Sequence, residues 1–277
     1  MRKKFIKMHG IGNDYIYFDC FSRPLPDPSR LAARLSDRHF SVGGDGVILI
    51  GKSSVADAKM RIFNADGSEG KMCGNGIRCV GKYLFDSGKV TRREMTVETL
   101  SGVRRLKVFS GADGKVSSVR VGMGKADFAC FSVPVKTAEK YCIGREISVG
   151  GRVYKATCLS VGNPHCVIFS PPPEPFEEAG AAFETCGLFP EGVNVEFAER
   201  RENKFFVRVY ERGSGETLAC GTGACAVVAA AVKNGLCPEG EEIPVVLSGG
   251  TLFVRYTQEE IFMTGEAALS FVGTVEI

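Results

Sequence analysis

The chain has 277 residues and 44% apolar composition, enough for one large core or two of ordinary size. Its formal net charge is +3, and basic clusters such as VRRLK and TRREM are short, so there is no electrostatic footprint for nucleic acid. The basic start MRKKFIKMHGIGND lacks the apolar stretch of a signal peptide, and no apolar run approaches the roughly 18 residues of a membrane span. A soluble cytoplasmic protein is expected. Eleven cysteines and three histidines, with no CxxC pair, read as mostly small core residues such as Cys130, Cys158 and Cys186. Neither a metal site nor a disulfide scaffold is expected.

In chain order, the strand-like run YIYFDCF precedes a helix over DPSRLAARLSD, where Pro28 suits a first turn. GVILI and KMRIFNA follow as strands. After the turn MCGNG, Ile77, Val80, Tyr83 and Leu84 form one helical face, and Gly88 is its stop. EMTVETL, RRLKVFS, SSVRVGM and HCVIFS alternate or are β-branched, with turns such as GADGK between some of them. SPPPEPFEEAG reads as a surface loop leading into a short helix. VNVEFAE and FFVRVYE follow, and ACGTG then opens a helix that is apolar nearly all round and hence central. IPVVLS, TLFVRY, IFMTG and LSFVGTVEI complete an α+β chain rich in antiparallel sheet.

The chain repeats itself. Residues 60–89 fall on residues 207–236 under a shift of 147. Seven of thirty positions are identical: Arg61/Arg208, Glu69/Glu216, Cys73/Cys220, Gly74/Gly221, Gly76/Gly223, Val80/Val227 and Gly88/Gly235. Average composition gives about two. A shift of 150 lays GIGNDYIYFD on SVGNPHCVIF and matches Gly12-Asn13 with Gly162-Asn163. Two pseudo-symmetric domains follow: 1–121 plus 265–277, and 122–264.

Cys73 and Cys220 each precede a helix N-terminus, where unpaired N–H groups and the helix dipole favour an anion and should lower a thiol's pKa. A lone cysteine at a glycine turn is more often structural, but two matched at one special position need a common cause. If the halves pack about a pseudo-two-fold axis, the two thiols face each other across a cleft. One thiolate then removes a proton from a carbon and the other thiol returns one to the opposite face, without a cofactor. GTGACA fits GxGxxG/A in form, but ERGSGETLA separates it from the preceding strand, so it is a weak nucleotide signal.

MHGIGNDY, FNADGSEGKMCGNGIRC, VGNPHCVIF, GVNVEF and YERGSGETLACGTGACA resemble the diaminopimelate epimerase family, in family order over residues 8–226. The resemblance implies a pyridoxal-independent isomerase interconverting LL- and meso-2,6-diaminopimelate, in the route to lysine and peptidoglycan. It implies two domains, each a barrel-like sheet around a central helix, and a homodimer. By position, Cys73 and Cys220 are base and acid, with His165 and Glu211 as an auxiliary pair. Gly74, Asn75, Gly221 and Thr222 supply backbone amides to the reacting carboxylate. Asn13, Asn64, Asn163, Asn194 and Arg212, with Glu211, surround the remaining polar groups of an amino-acid substrate. VGGDGVILI carries Gly46 where some members have Gln, so no contact is expected from that loop. Tyr15 stands where Phe is common. The alternatives are a related two-thiol racemase or isomerase of another substrate, and a nucleotide- or metal-binding protein using the glycine turns as anion sites.

Overall fold

The first strand, β1 (Arg2–Gly10), lies in a stretch whose pattern does not announce it. The structure, a computed structural model, describes residues 2–277 and divides them into two units. One runs to Gly122 and resumes over Thr264–Ile277; the other spans Met123–Met263.

The first unit continues with β2 (Asn13–Asp19), α1 (Pro28–Leu35), β3 (Gly46–Gly51), β4 (Ala58–Asn64) and the two-residue β5 (Glu69–Gly70). It then carries α2 (Gly74–Asp86), β6 (Glu94–Thr99), β7 (Gly102–Ser110) and β8 (Val116–Gly124). Asp27 caps α1 by accepting the Arg30 N–H, with Pro28 in the first turn. β1–β2, β3–β4 and β6–β7 are antiparallel, whereas β2–β3 and β4–β6 are parallel. Ile16, Phe18, Leu31, Val47 and Phe63 share one core cluster, and α2 packs on β1, β2 and β7.

The second unit carries β9 (Arg145–Val149), β10 (Arg152–Ser160), β11 (Pro164–Ile168), α3 (Phe176–Glu184), β12 (Asn194–Arg201) and β13 (Lys204–Glu211). The short β14 (Gly215–Glu216), α4 (Gly221–Lys233), β15 (Glu242–Leu247) and β16 (Gly250–Tyr256) follow. β17 (Ile261–Glu266) then leads to β18 (Ala268–Glu276), which pairs with β1. The pairing sequence of the first unit recurs here. β10–β11, β12–β13 and β15–β16 are antiparallel; β11–β12 and β13–β15 are parallel. α4 is buried almost throughout and touches β10, β11, β12, β13 and β16, which its run of alanines permits.

β9 and β10 form a hairpin turned by Gly150 and Gly151, at φ +58° and +75°. That Gly-Gly pair between alternating runs was a legible hairpin signal. Most cysteines are packing residues: Cys130, Cys158 and Cys166 sit in the second unit's core and Cys186 packs against it.

Candidate active site

Both duplicated cysteines are helix N-caps. Cys73 and Cys220 are extended, and each Sγ accepts the N–H of the third residue on, Gly76 or Gly223, at 3.3 Å. Sulfur thus takes the place of the usual capping oxygen. Gly74 and Asn75 lie buried in the first turn of α2, and Gly221 and Thr222 open α4. The duplicated Arg and Glu make a two-bonded fork in each unit. Arg61 Nε and Nη2 donate to Glu69 at 2.7 and 2.9 Å, and Arg208 Nε and Nη2 donate to Glu216 at 2.8 Å each. Each fork ties a long strand to the two-residue strand that delivers the cysteine.

In the first unit the Cys73 thiol donates to Asn13 Oδ1 at 3.3 Å. Asn13 Nδ2 donates to Asp45 Oδ2 at 2.7 Å, which also accepts the Asp14 N–H at 3.0 Å. A carboxylate only accepts, so Asp45 decides which end of the Asn13 amide faces the sulfur. The early loop thus holds Asn13 in place through Asp45. Arg38 Nη2 bridges Asp14 Oδ1 and Asp45 Oδ1 at 2.6 and 2.9 Å. Asn64 donates to Ser68 Oγ at 3.0 Å.

In the second unit His165 is fully buried, with Nδ1 2.6 Å from Glu196 Oε1 and Nε2 3.0 Å from Asn163 Oδ1. The hydrogen-bond partner of His165 Nδ1 is Glu196. Glu211 accepts from Thr217 Oγ1 at 2.5 Å. Asn194 is committed at both ends: Nδ2 donates to Pro164 O at 2.7 Å and Oδ1 accepts the Arg212 N–H at 3.0 Å. Arg212 itself is exposed and donates to Glu191 O at 2.8 Å.

Burial pushes the Cys220 thiol well above its ordinary pKa, and the nearby Glu211 and Glu196 carboxyls push the same way. Thr222 and the Gly223 N–H oppose this without reversing it. At Cys220 burial, with Glu211 and Glu196 nearby, thus works against the lowering expected of a helix N-terminus. A cavity of about 850 Å³, bounded in part by Lys136, Arg145, Glu146 and Leu188, is lined by neither Cys73 nor Cys220.

The chain matches the model of the family described as diaminopimelate epimerase over residues 5–129 and 157–270. The chain belongs to the diaminopimelate epimerase family. Relatives named diaminopimelate epimerase from Acetivibrio thermocellus and from Methanococcus maripaludis strain C5 are each 44% identical, over 99% of this chain and 99% and 100% of theirs. One from Leptospira biflexa is 42% identical over the full length of both. Solved structures share the fold at lower identity. A phenazine biosynthesis protein of the PhzF family from Bacillus anthracis has a TM-score of 0.71 at 18% identity, covering 100% of both chains. A hydroxyproline epimerase from Agrobacterium vitis has 0.69 at 17%, over 99% of this chain and 92% of that one.

Within this epimerase family member, three further residues lie around the two duplicated sites. Asp45 orients Asn13. Glu196 meets His165. Tyr15, the repeat counterpart of His165, is a buried phenol pushed well above its ordinary range by burial and then by Cys73. The repeat was a usable signal for Tyr15. No local pattern singles out Asp45 or Glu196.

Proposed function

We propose that Cys73 and Cys220 carry the two proton transfers by which this isomerase interconverts LL- and meso-2,6-diaminopimelate. One thiolate takes the α-proton and becomes a thiol; the other thiol gives its proton to the opposite face and becomes a thiolate. The reverse reaction exchanges their roles. Backbone N–H groups of Gly74, Asn75, Gly221 and Thr222 stabilise the substrate carboxylate as it gains enediolate charge. Asn13, Asn64, Asn163, Asn194 and Arg212 hold the remaining carboxylate and ammonium groups, and His165 and Glu211 serve Cys220. The observation that carries this reading is the identical sulfur cap at two repeat-related cysteines, each on a Gly-x-Gly helix start. No cofactor is required by the scheme.

Incubation with either isomer in D2O, under reducing conditions and without pyridoxal phosphate, should give interconversion with deuterium at the α-carbon. Cys73→Ala and Cys220→Ala should each lower epimerisation by at least about 100-fold. Near-normal turnover in either variant would rule out the two-thiol scheme.

A cytoplasmic homodimer fits the remaining features. Leu269, Phe271 and Val272 stand exposed on β18 and suit self-association, which sedimentation velocity would test. Eleven cysteines as thiols suit a reducing compartment. No helix among the described residues is long and apolar enough to cross a membrane.

A further inference from the structure

Glu196 has no part in the scheme above. It is a wholly buried carboxyl on β12, and the parallel β11–β12 register sets it opposite Val167, on the face of the sheet that His165 shares. Glu196 Oε1 is 2.6 Å from His165 Nδ1, while Oε2 is buried with no hydrogen-bond partner among the described residues. A Cβ placed on Gly223 would lie 2.8 Å from Glu196 Oε1 and 3.3 Å from Cys220 Sγ. The missing side chain of that glycine leaves room for the carboxyl and the thiol on either side of it.

Both nitrogens of His165 face oxygen, since Nε2 is 3.0 Å from Asn163 Oδ1. Each contact needs one proton, and two distributions supply them. Either the ring carries both and Glu196 is ionised, or Glu196 carries one and Nε2 the other. In both, the pair is neutral overall and Nε2 bears a hydrogen. The third arrangement, ionised Glu196 with hydrogen on Nδ1 alone, would leave an uncompensated buried charge with an oxygen already lacking a partner. A hydrogen on Nε2 engages Asn163 Oδ1 and leaves the Asn163 NH₂ group for a ligand.

We propose that Glu196 is a positioning residue: through the proton it shares with His165, it turns the Asn163 amide so that its NH₂ donors meet a carboxylate of the bound amino acid. The proposal rests on Asn163 binding substrate. The first unit contains the opposite arrangement at the repeat-related asparagine. There Asn13 gives Nδ2 to Asp45 and turns Oδ1 to Cys73. The duplicated asparagines are thus fixed with opposite polarity, each by a carboxyl on another strand or loop. A substrate that carries both carboxylate and ammonium groups calls for both.

The test is proton–nitrogen correlation NMR on the whole enzyme with ¹⁵N-histidine, the His165 signals being assigned by their loss in His165→Gln. The unaltered enzyme at neutral pH should show His165 Nε2 protonated and a far-downfield proton in the bond to Glu196. Glu196→Gln should lose that proton and raise the KM for diaminopimelate about tenfold or more, with a smaller change in kcat, as expected for a misdirected bond to a charged group. Glu196→Asp, too short to reach, should match it. An unprotonated Nε2 in the unaltered enzyme overturns the proposal and needs no variant to fold. An unchanged KM in a folded Glu196→Gln overturns it as well. Absence of any turnover in the unaltered enzyme strikes the proposed function instead, and leaves the histidine signal to judge the geometry.

Discussion

Cys220 caps α4 with its sulfur 3.3 Å from the Gly223 N–H, a contact that favours thiolate, while its burial and the neighbouring Glu211 and Glu196 favour the thiol. Burial is the larger influence, and the thiol's pKa is pushed up. Because the pKa is raised, iodoacetamide modification of Cys220 should keep climbing from about pH 7 to about pH 9.5. A plateau near pH 8 would contradict it. Glu211→Gln removes the carboxyl that pushes hardest on the thiol. That variant should alkylate faster at a given pH yet turn over more slowly, since the same carboxyl is assigned to serve the thiol. If both rates fall together, Glu211 acts on the fold and not on the sulfur.

The helices that carry the cysteines are defined at both ends by the repeat. Each starts at a sulfur cap and stops at a glycine, Gly88 or Gly235, with φ +72° or +69°. A Cβ at either glycine meets nothing within 4 Å, so replacement by alanine tests backbone strain alone. Left-handed backbone costs a non-glycine residue about 1 kcal/mol, so Gly88→Ala and Gly235→Ala should each lower the melting midpoint by roughly 2–4 °C. Unchanged midpoints would mean the helix ends fray without cost. The Arg61–Glu69 and Arg208–Glu216 forks belong to the same scale. The repeat marks both residue pairs but not their contact, because a 2-residue strand such as β5 or β14 is too short to leave a pattern.

Across the molecule, acid stability should be set by carboxylates held below their ordinary values. Burial pushes Asp14 up, but hydrogen bonds from Arg38 and Lys7 bring it below 3.8, and Arg61 holds Glu69 below 4.5. A depressed folded pKa gives stability that is complete above the unfolded value and lost as pH falls through the folded one. The urea midpoint should therefore be level near about pH 6 and drop below about pH 4. Arg38→Ala should be less stable than the unaltered enzyme at neutral pH, with a deficit that shrinks in acid. A deficit constant with pH would mean that Arg38 contributes packing rather than charge.

Sequence by itself determined the two cysteines, the glycines around them, the helices they start and most of the strands. These follow from local periodicity, from turn chemistry and from one chain segment echoing another 147 residues on. Tertiary structure alone decided which groups those cysteines and asparagines answer to. Asp45 reaches Asn13 from 32 residues away, and Glu196 reaches His165 from 31. The β2–β3 and β11–β12 pairings near these contacts are parallel, and parallel register is set by the packed sheet rather than by a turn. The upward push on the Cys220 thiol has the same origin. A helix N-terminus can be seen in ten residues, but desolvation depends on every element that closes over the sulfur.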